Sequence, residues 1–130
     1  MSAVLDAVAD PAQIGGKAFV EHFEIPAHDI KRAQAFYKDV LEFDYEPWGD
    51  DMGMLKQPEG KGIDGDLHTD PAIPHPTVVF TVDSIDETLV KVVAQGGSQI
   101  GEIQPIAETG RWIYMKDSEG NVVGLFDNLG

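Results

Sequence analysis

Alternating apolar and polar side chains predict a β-strand over residues 18–26. Phe23 and Ile25 fall on one face of this strand. His22 and Glu24 fall on the opposite face, because successive side chains of a strand point to opposite sides. The proline that closes the segment ends the strand, since it has no N–H to donate to a neighbour. We therefore expect a strand with one apolar face and one face on which a histidine accompanies a carboxylate.

Two other segments have the 3.6-residue periodicity of amphipathic helices. Asp29 is a suitable N-cap for a helix over Ile30–Leu41. Ser84 and Glu87 form a capping box, in which each side chain can bond to the backbone N–H of the other. The second helix should begin there and end at Gly96-Gly97.

The two halves of the chain repeat one plan. A shift of 55 residues places Asp29 on Ser84, and a shift of 60 places Gly60 on Gly120. Each half then has a strand, a helix and three further strands, and a unit this small cannot bury both faces of its sheet alone. The later predicted strands are Met52–Gln57, Gly62–His68, Thr77–Val82, Ser98–Ile103, Arg111–Lys116 and Asn121–Phe126.

This repeat predicts an α+β fold made of two paired βαβββ modules. The modules span about residues 18–68 and 77–128, and a proline-rich linker, residues 69–76, joins them. Residues 1–16 are interpreted as an N-terminal arm, and residues 17–130 as one domain. A chain of 130 residues usually forms a single domain, since domains commonly have about 100–200 residues.

The composition narrows the class of protein. Against 23 Asp and Glu there are 9 Lys and Arg, a net charge of −14, and 42% of the residues are hydrophobic. So acidic a surface repels phosphate backbones and anionic lipid, which argues against nucleic-acid and membrane partners. The absence of cysteine excludes disulfides, thiolate nucleophiles and zinc–thiolate sites. With no signal-peptide pattern and no apolar run of about 20 residues, we expect a cytoplasmic protein.

Candidate functional residues lie on the predicted strands. His22 and Glu24 are typical of an acid–base or polar-recognition pair, although a structural hydrogen-bonded cluster has the same pattern. Arg111 could bind a ligand carboxylate or phosphate, or form a salt bridge at the end of its strand. Trp112 and Tyr114 share one face of a strand. They form either part of an aromatic wall for a ligand or part of the core.

Three segments together resemble the glyoxalase, bleomycin-resistance and extradiol-dioxygenase group, the vicinal oxygen chelate superfamily. The resemblance extends over residues 18–128 and implies that the two modules form an open, cup-shaped barrel. It also implies a small-molecule ligand in the cup and a homodimer. In the catalytic members a divalent metal is held there by residues of the first and last strands of each module. The matching segments are Glu21–Pro26, Ala35–Tyr37 before Val40–Phe43, and Asp117–Val122.

Carried over to this chain, the metal positions of the superfamily fall on His22, Asp64, Thr77 and Gly124. His22 and Asp64 are good ligands, whereas Thr77 is a weak neutral donor and Gly124 has no side chain. The extradiol type of site, which needs a second histidine and a terminal carboxylate, is not formed. The sequence therefore predicts small-molecule binding without a metal cofactor.

Other residues could complete a divalent metal site. Asp66 and His68 have the same parity as Asp64 in a regular strand, so all three would share a face. A metal-dependent lyase, isomerase or transferase is accordingly the second hypothesis, with His22 and Glu24 as the catalytic candidates. The third is an interaction module whose cup is filled by side chains. For a ligand held near Glu24 and Asp64, the charge favours a neutral or cationic molecule.

Overall fold

The helices and strands follow one another in the order that the repeat predicts. The computed structural model describes residues 17–106 and 108–129, which contain two helices and eight strands. The α+β class and the βαβββ order of both modules are confirmed. The predicted arm, residues 1–16, lies outside the described residues. The elements are β1 (Phe19–Pro26), α1 (Ile30–Leu41), β2 (Asp44–Pro47), β3 (Met52–Lys56), β4 (Gly65–His68), β5 (Thr77–Thr81), α2 (Ile85–Ala94), β6 (Ser98–Ile106), β7 (Gly110–Lys116) and β8 (Val122–Asp127).

The repeat predicts three strands after the first helix, but no local pattern in the sequence locates one of them, β2. It has four residues, of which only Tyr45 is half-buried, and it pairs antiparallel with β3. A segment so short and polar shows no periodicity from which a strand could be predicted. The start of β4 also differs from the prediction, because the strand begins at Gly65 and not at Gly62.

The chain divides into two compact units, and the first consists of His22–Val78. Its strands are ordered β2-β3-β4-β1, with β1 parallel to β4 and the other neighbours antiparallel. Asp29 caps α1 by accepting a hydrogen bond from the Arg32 N–H, as the sequence predicts. Ile30 of this helix packs with Leu55 and Leu67 in a buried cluster. The helix therefore covers the face of β3 and β4 on which those leucines lie.

Among the described residues, the second unit contains 17–21, 79–106 and 108–129. Its strands are ordered β5-β8-β7-β6, and its core joins Ile85 and Leu89 of α2 to Ile113 and Leu125. The Ser84 half of the predicted capping box is confirmed, since the Ser84 hydroxyl accepts from the Glu87 N–H at 3.2 Å. In each unit, the buried cluster therefore lies between the helix and one face of the strands. The opposite face of the strands does not belong to that cluster.

A buried carboxylate fastens α2 to the strands of the second unit. Asp127 is fully buried and accepts hydrogen bonds from the backbone N–H of Ile85 at 2.7 Å and from Arg111 Nη2 at 2.6 Å. Arg111 Nη2 also donates to the exposed Asp86 at 2.9 Å. The hydrogen bond to Asp127 raises the pKa of Arg111 above its ordinary value. Arg111 therefore forms the strand-end salt bridge that was one of its two predicted roles.

We predict that the substitution Asp127→Asn lowers the free energy of unfolding by about 3–5 kcal/mol, because it leaves a half-buried guanidinium without its buried partner. The matched control is Asp86→Asn, which removes the exposed partner of the same arginine and should cost less than about 1 kcal/mol. Urea denaturation of the two variants measures both values. Equal losses would show that Asp127 is not the anchor.

Candidate functional site

Three ionisable side chains converge on the face of the first unit that is opposite to α1. His22 Nε2 lies 3.5 Å from Glu24 Oε2 and 3.6 Å from Asp66 Oδ2. One ligand atom from each of the three residues lies within 4.8 Å of the others. The Asp66 side chain is 3% exposed and that of His22 is 25% exposed, so the cluster is buried at the carboxylates and open at the imidazole. We call these three residues the acidic cluster.

The parallel pairing of β1 with β4 brings these side chains together. The register places Glu24 beside Asp66 and Phe23 beside Gly65, so neighbouring residues share a face. His22 shares the face of Glu24 because it lies two positions earlier in the same strand. The alternation found in the sequence correctly predicted that His22 and Glu24 point the same way.

The sequence predicted Asp64 as the carboxylate of β4 beside His22, whereas the register places Asp66 there. Glu24 pairs with Asp66 in the first unit, and Val79 pairs with Gly124 in the second. Since the first-strand shift of 55 places Glu24 on Val79, the counterpart of Gly124 is Asp66 and not Asp64. The shift of 60, taken from the turns, is two residues too long for these strands. In the sequence analysis Asp66 is only one of the residues that could complete a divalent metal site.

Asp64 has a different place in the structure. It precedes β4, where its Oδ1 accepts the Gln57 N–H at 2.7 Å and its Oδ2 lies 3.1 Å from Lys56 Nζ. The hydrogen bond from Gln57 lowers the pKa of Asp64, with a further contribution from Lys56. Asp64 is therefore outside the acidic cluster, and these local partners explain why its metal-binding role is not supported.

The electrostatics of the acidic cluster are set by the burial of Asp66. Burial, together with the charge of Glu24 and a hydrogen bond to it, raises the pKa of Asp66 to about 8. Two neighbouring carboxylates cannot both be ionised at low cost, so the pair retains one proton near neutral pH. A positive charge placed beside these two carboxyls would favour release of that proton.

Two further polar atoms are buried on β2 and β4. The Tyr45 hydroxyl and His68 Nε2 have no hydrogen-bond partner among the described residues. Burial raises the pKa of Tyr45, and the charge of Asp66 contributes to the shift. The alternation that linked His68 to Asp66 was visible in the sequence, whereas Tyr45 was missed because β2 was missed.

The remaining candidates belong to other strands. Trp112 and Tyr114 of β7 touch edge to face, with 5.3 Å between ring centroids. Because the alternate residue Ile113 packs against α2, these two rings lie on the opposite face of β7. At Gly124 a Cβ atom would come within 2.8 Å of the Val79 side chain, so this position does not admit a larger residue without movement. Thr77 begins β5, and its side chain is not part of the acidic cluster.

Comparison with known proteins supports the fold described above. The model of a family described as bleomycin resistance protein-like N-terminal matches residues 20–54, which cover nearly all of β1, then α1, β2 and the start of β3. No curated protein is significantly similar to the chain in sequence. A glyoxalase/bleomycin resistance protein/dioxygenase superfamily member from Vibrio splendidus 12B01 superimposes with a TM-score of 0.64 and 19% identity, over 85% of this chain and 99% of that one.

The chain has the fold of the glyoxalase/bleomycin resistance/dioxygenase superfamily. The resemblance inferred from the sequence is confirmed. Methylmalonyl-CoA epimerase from Mycobacterium tuberculosis has the same fold, with a TM-score of 0.60, 19% identity and coverage of 85% of this chain and 88% of that one. The Mn(II)-bound glyoxalase from Novosphingobium aromaticivorans matches with a TM-score of 0.62 and 15% identity, over 85% of this chain and 39% of that one.

The acidic cluster is chemically suited to a divalent cation such as Mn(II), the ion named for the Novosphingobium glyoxalase. Two carboxylates and an imidazole are ligands that manganese, iron and zinc accept. Three protein ligands are also the number found in catalytic metal sites, which keep further positions open. Asp66 Oδ1 is buried without a hydrogen-bond partner among the described residues, as expected of an oxygen that can serve a ligand.

In metal-free protein we predict that the free energy of unfolding falls as the pH rises from about 4 to about 8. The native state keeps the Asp66 proton over this range, whereas the unfolded state loses it near the ordinary pKa, so raising the pH favours unfolding. Asp66→Asn should remove most of this slope and should raise stability at pH 8 by a few kcal/mol in order of magnitude. Urea denaturation with a chelator present, repeated across the pH range, measures it.

Asp64→Asn is the matched control, because its carboxyl has a lowered pKa and contributes stability that is lost only as the pH falls below about 4. It should leave the slope between pH 5 and pH 8 as in the wild-type protein. An identical slope in Asp66→Asn would contradict the assignment of the raised pKa to Asp66.

Proposed function

We propose that this chain is a small-molecule-binding protein in which the acidic cluster holds one divalent cation through His22, Glu24 and Asp66. One observation carries the proposal: three donor atoms from these residues lie within 4.8 Å of one another around a buried carboxylate. The sequence favoured binding without a metal because Thr77 and Gly124 are not good ligands, which left only His22 and Asp64. Asp66 supplies the third ligand.

The chemistry of the cluster supports a cation. A bound divalent ion would offset the repulsion between Glu24 and Asp66 and displace the proton that they share. When bound, such an ion would polarise an oxygen of the small molecule as a Lewis acid. The protein's own contribution is to hold the two carboxylates side by side through the β1–β4 pairing and to leave the His22 side open.

The superfamily structures agree with this proposal. The glyoxalase from Novosphingobium is described as Mn(II)-bound, and the mycobacterial protein as an epimerase of a coenzyme A ester. By analogy, a small organic molecule binds beside the acidic cluster of this chain. The proposed activity is that of a lyase, isomerase or transferase. No helix in the described residues is long and apolar enough to cross a membrane. The homodimer and the cytoplasmic location stay predictions.

A second candidate function is metal-free binding with acid–base chemistry. The observation that favours it is the burial of the Asp66 carboxyl beside Glu24 and 3.6 Å from His22 Nε2, which raises the pKa of Asp66 and favours a proton close to His22. A carboxyl with a pKa near 8 can donate a proton at neutral pH. In this case His22 and Glu24 would keep the catalytic roles inferred from the sequence, and Asp66 would be the proton donor.

We predict that the purified protein binds one Mn²⁺, Zn²⁺ or Ni²⁺ ion per chain, with an affinity that rises between pH 6 and pH 8 as the shared proton becomes easier to release. Asp66→Asn and His22→Ala should each lower the affinity by roughly a hundredfold or more, since even outer-shell changes cost ten- to a hundredfold. Calorimetric titration and elemental analysis after dialysis measure this.

His75→Ala is the control, because His75 is an exposed histidine of the loop between β4 and β5. It should bind the metal as the wild-type protein does. If no metal is retained by the wild-type protein, or if the control loses affinity equally, the acidic cluster is not a metal site and the metal-free function is favoured.

A further inference from the structure

His68 is a buried histidine whose two ring nitrogens differ in their surroundings. The backbone N–H of Asp70 donates a hydrogen bond to Nδ1 at 3.0 Å. The residue is 7% exposed, and Nε2 has no hydrogen-bond partner among the described residues. Because Nδ1 accepts, the proton of the neutral ring lies on Nε2. The ring therefore presents an N–H donor in a fixed direction.

This donor belongs to the same face as the acidic cluster. His68 lies two positions after Asp66 in β4, so the two side chains share a face and lie roughly 7 Å apart. The intervening Leu67 packs in the core under α1. On the neighbouring strand β3, Met52 is opposite His68 and Met54 is opposite Asp66, and both methionines are half-buried. One strip of sheet thus carries two carboxyls, an N–H donor and two thioethers.

Among the described residues, His68 Nε2 lacks the partner that a buried donor normally has. Buried polar groups in native proteins nearly always have a partner, because an unsatisfied buried donor loses its hydration without compensation. The Asp70 bond explains one nitrogen of His68 and leaves the other unexplained. A group that binds at this face and accepts a hydrogen bond would supply what is missing.

We propose that His68 is a ligand-positioning residue whose Nε2–H donates to an uncharged carbonyl oxygen of the small molecule bound beside the acidic cluster. The location of the ligand rests on the proposed function. An anion costs more than an uncharged acceptor to bring out of water to a buried N–H, and an ammonium group has no lone pair to accept the bond. An uncharged carbonyl compound satisfies both conditions, and its apolar part can pack on the polarisable side chains of Met52 and Met54.

The test compares two probes of similar shape, acetophenone and ethylbenzene, of which only the first has a carbonyl oxygen. His68→Asn removes the Nε2–H and keeps an oxygen that can accept the Asp70 N–H, whereas His68→Gln keeps an N–H donor near the Nε2 position. NMR titration of the wild-type protein and both variants gives the affinities. In the wild-type protein the same spectra follow the Nε2–H signal of His68 directly.

We expect acetophenone to bind the wild-type protein, to move the His68 Nε2–H signal downfield, and to bind His68→Asn roughly tenfold more weakly. Ethylbenzene should bind the wild-type protein and His68→Asn equally, and His68→Gln should recover part of the acetophenone affinity. The stability of His68→Asn in urea should equal or exceed that of the wild-type protein, since a structural role would lower it.

Failure to bind acetophenone, an unmoved His68 signal, or equal weakening of both probes would overturn the role of His68. A metal titration of His68→Asn separates this from the proposed function, because the variant should keep the wild-type metal affinity. Absence of metal binding in the wild-type protein together with a carbonyl-dependent effect of His68 would refute the metal site and retain His68 as the ligand-positioning residue.

Discussion

The site depends on the parallel pairing of β1 with β4, which forces Glu24 and Asp66 to lie side by side away from bulk water. Backbone hydrogen bonds along both strands hold this arrangement, and Leu67 and Ile25 anchor the opposite face to the core. The two carboxyls must therefore share a proton or share a cation. The raised pKa of Asp66, the open side at His22 and the fit to a divalent ion all follow from this one constraint.

The two units follow one plan but have different residues at equivalent strand positions. At the strand positions where the first unit has Glu24 beside Asp66, the second has Val79 beside Gly124. The Val79 side chain occupies the space that a side chain at Gly124 would need. The buried carboxylate of the second unit, Asp127, instead joins Arg111 to the start of α2. Its role is to hold the helix to the strands.

Local patterns predicted most of the fold, because each helix carries its own start signal and each long strand its own alternation. Asp29 and Ser84 cap the helices as expected, and His22 and Glu24 share a face as expected. The site was harder to predict, since the partner of Glu24 is fixed by a register between distant strands. Asp64 and Asp66 are two positions apart, so alternation alone places them on the same face of a strand. The contacts of Asp64 with Gln57 and Lys56 show that it lies before β4 and outside the acidic cluster.

The central claim is that Asp66 and Glu24 form one buried pair that keeps a proton at neutral pH. The most direct measurement is an NMR titration of the side-chain carboxyl carbons in metal-free protein labelled at aspartate and glutamate, with Asp66→Asn for assignment. The account predicts a carboxyl transition near pH 8 that is absent from the variant. Complete ionisation of every carboxyl near the ordinary value of about 4 would contradict it.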